Sequence, residues 1–253
     1  MNIVLSIILI FVLIFLIMTE TLAAYPDRVL QTLATGNNGV AEFWDFLGGL
    51  EGTPFTDGSS GGVISISSGS GDIYYPGAID TSVVTNGHTA IYRTSPIFSF
   101  GISSTSLTYQ TRAFIPSLSL QSDRFKLKFG LANVMDYISP ERFETLFVYD
   151  DSISANWVCK TLSSELGLTD QFVTSVPVDD QDHYFRIVMT PSKVYYYIDN
   201  ILVHEYAMDF TAPTYYLRIG AVINKTNGSL SPGQIIYDAV KFVQTFSTPR
   251  AFQ

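Results

Sequence analysis

Carboxylates are the first residues to test for chemistry in this chain, because retaining hydrolysis of a glycoside needs two of them about 5 Å apart. On a strand that separation is met by alternate residues, which share a face. No Glu-x-Asp-x-Glu run or similar spacing occurs in the 253 residues. The nearest acidic clusters are Asp150-Asp151 and Asp179-Asp180-Gln181-Asp182; Asp180 and Asp182 stand two apart, but both clusters are in turn-like surroundings and not on a strand. Solvated turns account for both clusters, and Asp179, Asp180 and Asp182 also offer hard oxygen ligands of the kind calcium takes. The three histidines, His88, His183 and His204, lie in separate segments with no partner two or four residues away, so a metal triad has no support. Gly58-Ser59-Ser60-Gly61-Gly62 has the spacing of a Gly-x-Ser-x-Gly elbow but no helical pattern after it to make it one, and it lacks the Lys-Ser/Thr of a phosphate cradle, so it reads as a flexible turn. The single cysteine, Cys159, excludes an intramolecular disulfide and a thiolate metal cage; between Val158 and Lys160 it reads as a small buried hydrophobe. Catalytic residues and cofactors are therefore not expected.

Aromatic side chains offer a different chemistry, stacking on sugar rings. Trp44 and Trp157 fit that role or the anchoring of a core. A further set lies in the segment Val194 to Tyr206. If Asp199-Asn200 is a two-residue turn, Ile198 opposes Ile201, Tyr197 opposes Leu202, Tyr196 opposes Val203 and Tyr195 opposes His204. Val194, Tyr196, Ile198, Ile201 and Val203 then form an apolar core face. Tyr195, Tyr197, Leu202, His204 and Tyr206 form the other, which suits a half-buried sheet surface or a sugar platform.

The elements that must position these residues are strands. Runs of β-branched and aromatic residues closed by Gly, Pro, Asn, Asp or Ser recur at Gly62–Ser67, Ala90–Tyr92, Ser106–Phe114, Arg124–Leu131, Thr145–Tyr149, Asn156–Thr161, Tyr184–Thr190, Val194–Ile198, Ile201–Tyr206, Tyr215–Ile223 and Gln234–Phe242. Helical spacing is confined to Pro26–Leu33 and the stretch around Ser163–Leu168. An antiparallel sandwich follows, since two amphipathic sheets must cover each other's apolar faces.

Composition agrees with a folded domain: 47% of residues are hydrophobic, 14% aromatic and 15% charged. A net charge of −9, from 14 basic and 23 acidic residues, has the wrong sign for neutralising nucleic-acid phosphates. Residues Ile3 to Met18 are apolar except for Ser6, and Thr21-Leu22-Ala23-Ala24 supplies small residues for cleavage after Ala23. A signal peptide is expected over residues 1–23, with an uncleaved membrane anchor as the alternative. On a secretory route, Asn224-Lys225-Thr226 and Asn227-Gly228-Ser229 fit the N-glycosylation pattern in what reads as a turn.

The segment from Asp182 through His183-Tyr184-Phe185-Arg186-Ile187-Val188-Met189 to Val194-Tyr195-Tyr196-Tyr197-Ile198-Asp199-Asn200-Ile201-Leu202-Val203 resembles the penultimate strands of laminin G-like and concanavalin A-like jelly rolls. Ile235 to Phe242 looks like their closing strand. Glu42 to Gly49, Gly61 to Ile66 and Phe125 to Leu131, in that order, are similar to the concanavalin A-like domains of phage and virus structural proteins. Tyr216 to Val222 imitates the last strand of a jelly-roll alginate lyase, but Val222 stands where that family's catalytic Tyr would be and no Gln-Ile-His occurs.

The resemblance implies an all-β, two-sheet sandwich over residues 41–246, after an extension at 24–40 and before a tail at 247–253. It implies a non-catalytic role in adhesion, coating or glycan binding, on a secreted protein or a virion surface, with a carbohydrate-active enzyme as the alternative. Candidate ligand contacts are Tyr195, Tyr197, His204, Tyr206 and Trp157. The expected partner is a glycan or protein surface, with homo-oligomer or virion assembly, and contact with a membrane only through residues 3–18.

Overall fold

A computed structural model describes residues 39–44, 55–57, 60–66, 79–93, 98–100, 104–120, 124–135, 143–209, 215–225 and 233–247. The leader, the segment Pro26–Leu33 and the sequon at Asn227 lie outside the described residues. Fifteen strands and no helix occur among them.

In chain order the strands are β1 (Gly39–Trp44), β2 (Phe55–Asp57), β3 (Ser60–Ile66), β4 (Ile79–Arg93), β5 (Phe98–Phe100), β6 (Ser104–Phe114), β7 (Phe125–Ala132) and β8 (Phe143–Asp150). There follow β9 (Asn156–Ser163), β10 (Leu168–Pro177), β11 (His183–Met189), β12 (Lys193–Ile198), β13 (Ile201–Ala207), β14 (Tyr215–Lys225) and β15 (Gly233–Phe246). All pairings are antiparallel, in two sheets. The first runs β10-β9-β8-β7-β14, and the second runs β15-β6-β11-β12-β13, with β1 beside β15. They are joined by β4, whose residues Gly87–Tyr92 pair with β14 and whose residues Ile79–Val83 pair with β15. Asn86-Gly87 falls where the partner changes, and these residue types tolerate the bend a strand makes in leaving one sheet for another.

Alternation places one side of each strand in the core. Phe125, Leu127, Phe129 and Leu131 of β7, Phe143 and Phe147 of β8, and Trp157 and Cys159 of β9 face Phe185, Ile187 and Met189 of β11 and Val194, Tyr196 and Ile198 of β12. The sheets meet through aromatic edges. The Phe129 and Phe185 rings lie 4.8 Å apart at 81°, Trp157 and Phe185 4.8 Å apart at 69°, and Phe147 and Tyr196 5.4 Å apart at 85°. Each such pair adds about 0.5–1.5 kcal/mol beyond the area it buries. Gly130 sits in this layer at φ +140°, where a Cβ would stand 2.6 Å from the Thr145 carbonyl oxygen, so no other residue fits.

The Asp199-Asn200 turn forms as expected, with φ of 52° and 65° and with Ile198 opposite Ile201 and Tyr197 opposite Leu202. Beyond it the register departs from the expectation. Tyr196 opposes His204, not Val203, and Tyr195 opposes Glu205, because Val203 is the extra residue of a bulge. One inserted residue reverses the parity of the strand, so His204 and Tyr206 share the face of Tyr196 and Val194 and not that of Tyr195 and Tyr197. Ile201, at the hairpin tip, is 68% exposed and is not part of the core.

Two further expectations are corrected. The stretch around Ser163–Leu168 is not helical: it is a turn, closed by the Gly167 amide on the Ser164 carbonyl with Gly167 at φ +63°, and it leads into β10. Asn224 lies not in a turn but within β14, between β7 and β4, and is 7% exposed, too buried to accept a glycan.

The face assignment predicts that Tyr196→Asp abolishes the folded domain, whereas Tyr195→Asp, on the half-buried outer face, costs less than about 1 kcal/mol. Thermal melts of the two variants check this; equal midpoints would refute the packing described.

Candidate functional site

The two sheets meet again at their free edges, β10 and β13. Leu168, Asp170 and Phe172 alternate along β10, and Asp170 and Phe172 sit opposite Thr161 and Cys159 on the core side of β9. Because these residues are at the sheet edge, they meet the face of β13 that the Val203 bulge has turned inward. His204 donates from Nε2 to Asp170 Oδ2 at 2.6 Å. The Phe172 ring lies on the imidazole at 4.2 Å and 3°, and Tyr196 lies behind it at 6.1 Å and 26°. Phe172 is 40% exposed, so one ring face is covered by His204 and the remainder faces solvent. Tyr206, partly buried on the same side of β13, packs against the core beside this seam.

Beneath the seam the Tyr196 hydroxyl is satisfied. The Tyr196 hydroxyl donates to the Lys160 carbonyl and accepts from Thr161 Oγ1, both at 2.7 Å. Burial raises the pKa of that phenol well above its ordinary value, so it stays neutral. Cys159 is buried, and burial followed by the charge of Asp170 pushes its thiol up as well. A thiol held protonated is a poor nucleophile.

The predicted ligand residues are thus split. Tyr195 and Tyr197 lie on the outer face of the second sheet, where Lys193 Nζ is 5.9 Å from the Tyr195 ring centroid and Arg186 Cζ is 4.1 Å from that of Tyr197. His204 and Tyr206 belong to the seam, and Trp157 is an anchor of the core. Asp170 and Phe172 were not among the candidates. Their signal was the alternation Leu168-x-Asp170-x-Phe172 between Gly167 and Pro177, obscured by few apolar residues.

The acidic cluster before β11 is dispersed among protein partners. Asp182 pairs with Arg112. Asp179 accepts from the Gln181 amide at 3.0 Å and lies 3.0 Å from His183 Nε2, while Asp180 accepts from the Gln181 side chain. His183 Nδ1 lies 2.7 Å from Asp199 Oδ2, so the imidazole joins the loop before β11 to the hairpin tip. Both ring nitrogens face carboxylates, and only the imidazolium donates to both. In the other cluster Asp150 pairs with Lys126 at 2.6 Å and holds the Ser152 amide, and Asp151 lies 3.7 Å from Arg124. Burial pulls Asp150 up, but these partners outweigh it and leave the carboxyl below its ordinary range.

The outer face of β8 also presents two carboxylates. It carries Glu144, Leu146, Val148 and Asp150. Glu144 is 0% exposed and pairs with Lys160, and Leu146 belongs to a small apolar cluster with Ala132 and Met135. Glu144 and Asp150 stand six positions apart, about 20 Å along a strand. That is far beyond the reach of paired acid and base.

The arrangement of sheets can be compared with solved structures. The chain superposes on the carbohydrate recognition domain of Emp47p with a TM-score of 0.52 at 12% identity, covering 78% of this chain and 90% of that one. It superposes on a Bacillus licheniformis β-glucanase with a TM-score of 0.53 at 9% identity (83% and 99%), and on peanut lectin with 0.51 at 10% (83% and 99%). The fold is the concanavalin A-like jelly roll. No protein-family model matches the sequence, and comparison with curated proteins finds no match. These three neighbours are two lectin-type domains and a glycosidase, so the jelly roll implied by the resemblance is seen, whereas phage and virus proteins do not figure among them.

The His183 bridge yields a pH dependence. Burial lowers the pKa of His183, but the Asp199 and Asp179 hydrogen bonds outweigh it and the net shift is upward. A folded-state pKa above the unfolded value of about 6.5 gives stability that is full below that pH and is lost as pH rises through the folded value. Thermal midpoints should therefore fall as the pH is taken upward from about 6.5, and His183→Gln should flatten that slope.

Proposed function

We propose that this chain is a glycan-binding jelly roll without hydrolytic activity, and that the seam between β10 and β13 takes the sugar. The observation that carries this reading is Phe172: an aromatic ring 40% exposed, laid flat on His204, next to the carboxylate of Asp170. A ring fixed from behind loses little freedom when a pyranose face stacks on it. Asp170 gives one oxygen to His204, and on this reading its other oxygen accepts from a sugar hydroxyl. Such charge-assisted bonds are about twice as strong as neutral ones. The likeness to the Emp47p carbohydrate recognition domain and to peanut lectin supports binding. The likeness to a β-glucanase keeps the enzyme reading in view, but the lone buried Glu144, followed on its face by Leu146 and Val148, argues against hydrolysis.

On this reading Phe172→Ala, a partly exposed ring whose loss lowers the thermal midpoint but leaves the domain folded, weakens binding on a glycan array at least tenfold, about 1.4 kcal/mol, and Asp170→Asn weakens it less. Titration calorimetry with the array's best ligand gives the magnitudes. Release of reducing ends from a polysaccharide panel above a blank would establish the enzyme in place of the binder.

A further inference from the structure

The outer face of the second sheet holds a second arrangement, on the opposite side of the β12-β13 hairpin from the seam. The pairing register sets Lys241 of β15 beside Gln110 of β6, Gln110 beside Arg186 of β11, Arg186 beside Tyr197 of β12, and Tyr197 beside Leu202 of β13. The sequence neighbours of the first four are buried, so all four point outward, and one row of side chains crosses the sheet. Adjacent strands are about 4.8 Å apart, which makes the row about 19 Å long and puts the backbones of Arg186 and Lys241 about 10 Å apart.

The charges on this face differ in how they are neutralised. Arg112 is paired with Asp182, and Lys193 with Glu205 at 3.0 Å. No carboxylate among the described residues reaches Arg186 or Lys241. Arg186 is instead held over the Tyr197 ring at 4.1 Å, with its Nε shut off from water and without an acceptor. A stacked guanidinium has already lost much of its freedom, and its planar fork matches a carboxylate or sulfate bidentately. A desolvated donor with nothing to donate to is costly, and an incoming anion relieves that cost.

We propose that this row binds a linear acidic polysaccharide, with one carboxylate or sulfate on Arg186 and the next charge at Lys241, about two strand spacings away. The spacing decides between polyanions. Nucleic acid carries a charge about every 3.4 Å along each strand, a density that a chain of net charge −9 repels. A polysaccharide with one acid per disaccharide presents sparse charges and apolar sugar faces, which suit two isolated cations with Gln110 between them and Tyr197 alongside. The inference rests on the glycan-binding reading but uses none of the seam residues.

Biolayer interferometry of the full chain at 50 mM and 200 mM salt tests it. The probes are hyaluronate (carboxylate only), κ-carrageenan (sulfate only), a neutral β-glucan of matched length, polyglutamate and single-stranded DNA. The expected result is that hyaluronate or carrageenan binds at least tenfold tighter than the glucan at low salt, and that whichever binds identifies the acid. Arg186→Gln should remove most of that preference and Arg186→Lys should restore part of it. Lys241→Gln, an exposed change that leaves the fold intact, should weaken acidic binding about threefold, while Phe172→Ala leaves the acidic preference in place. Acidic chains bound no tighter than the glucan, an Arg186→Gln variant that keeps its preference, or polyglutamate or DNA bound as well as the polysaccharides would each overturn the proposal. Phe172-dependent binding of neutral sugar without acidic preference would overturn this proposal alone; absence of binding to any polysaccharide would overturn the glycan reading with it.

Discussion

The contact between Phe129, Phe147 and Trp157 of one sheet and Phe185 and Tyr196 of the other fixes nearly everything else in this molecule. These rings set the distance between the sheets, and their edge-to-face geometry sets how the strands of one layer lie over the other. Tyr196 adds a polar constraint. Its buried hydroxyl would cost about 1–3 kcal/mol if left unpaired, and it is satisfied by Thr161 and the Lys160 carbonyl of β9. β12 is therefore locked in position along β9, and β13, paired to β12, is delivered to the edge of β10.

Closure of the sandwich follows from that placement. At one side β4 carries the hydrogen-bonded path from sheet to sheet; at the other, no ladder joins β10 to β13 among the described residues, and side chains must do the work. An open pair of edges exposes unpaired backbone groups and is a site for unwanted pairing. Here the gap is filled by the stack of Phe172 on His204 and the bond from His204 to Asp170. The bulge at Val203 makes this closure possible, since without it the imidazole would point outward with Tyr195. A ring at the open edge of the sandwich stays partly exposed, and that residual exposure is the surface on which the proposed glycan site rests.

The parts that were legible in the sequence are those governed by strict alternation. Val194, Tyr196 and Ile198 were assigned to the core and lie there, and the Asp199-Asn200 turn formed because both residues accept positive φ. Two features were not legible. β10 carries Thr169, Asp170, Gln171, Thr174 and Ser175 among few apolar residues, because an edge strand buries little, so its pattern did not stand out. The bulge at Val203 leaves no local mark, and the contacts that accompany it are made to another strand, by His204 to Asp170 and Phe172. One missed residue then moved His204 and Tyr206 from one face to the other, and with them half of the predicted platform. Asn224 was misread for a related reason: a sequon reports residue types and not the strand that contains them.

Why the candidate surfaces leave the middle of the first sheet unused is a matter of electrostatics. The centre of the first sheet's outer face is taken up by Glu144, which is wholly buried and held by Lys160. Removing one partner of such a pair leaves an uncompensated buried charge and costs about 3–5 kcal/mol, so this carboxylate is committed to the fold. The charges near the hairpin tip are committed in the same way, Asp182 to Arg112 and His183 to Asp179 and Asp199. What is left for binding is set by the pleat of β12, where Tyr196 turns inward beneath the seam and its neighbour Tyr197 turns outward beneath Arg186. The two candidate surfaces are thus one peptide apart in sequence and on opposite faces of the same hairpin, and a change of register in β13 would disturb both at once.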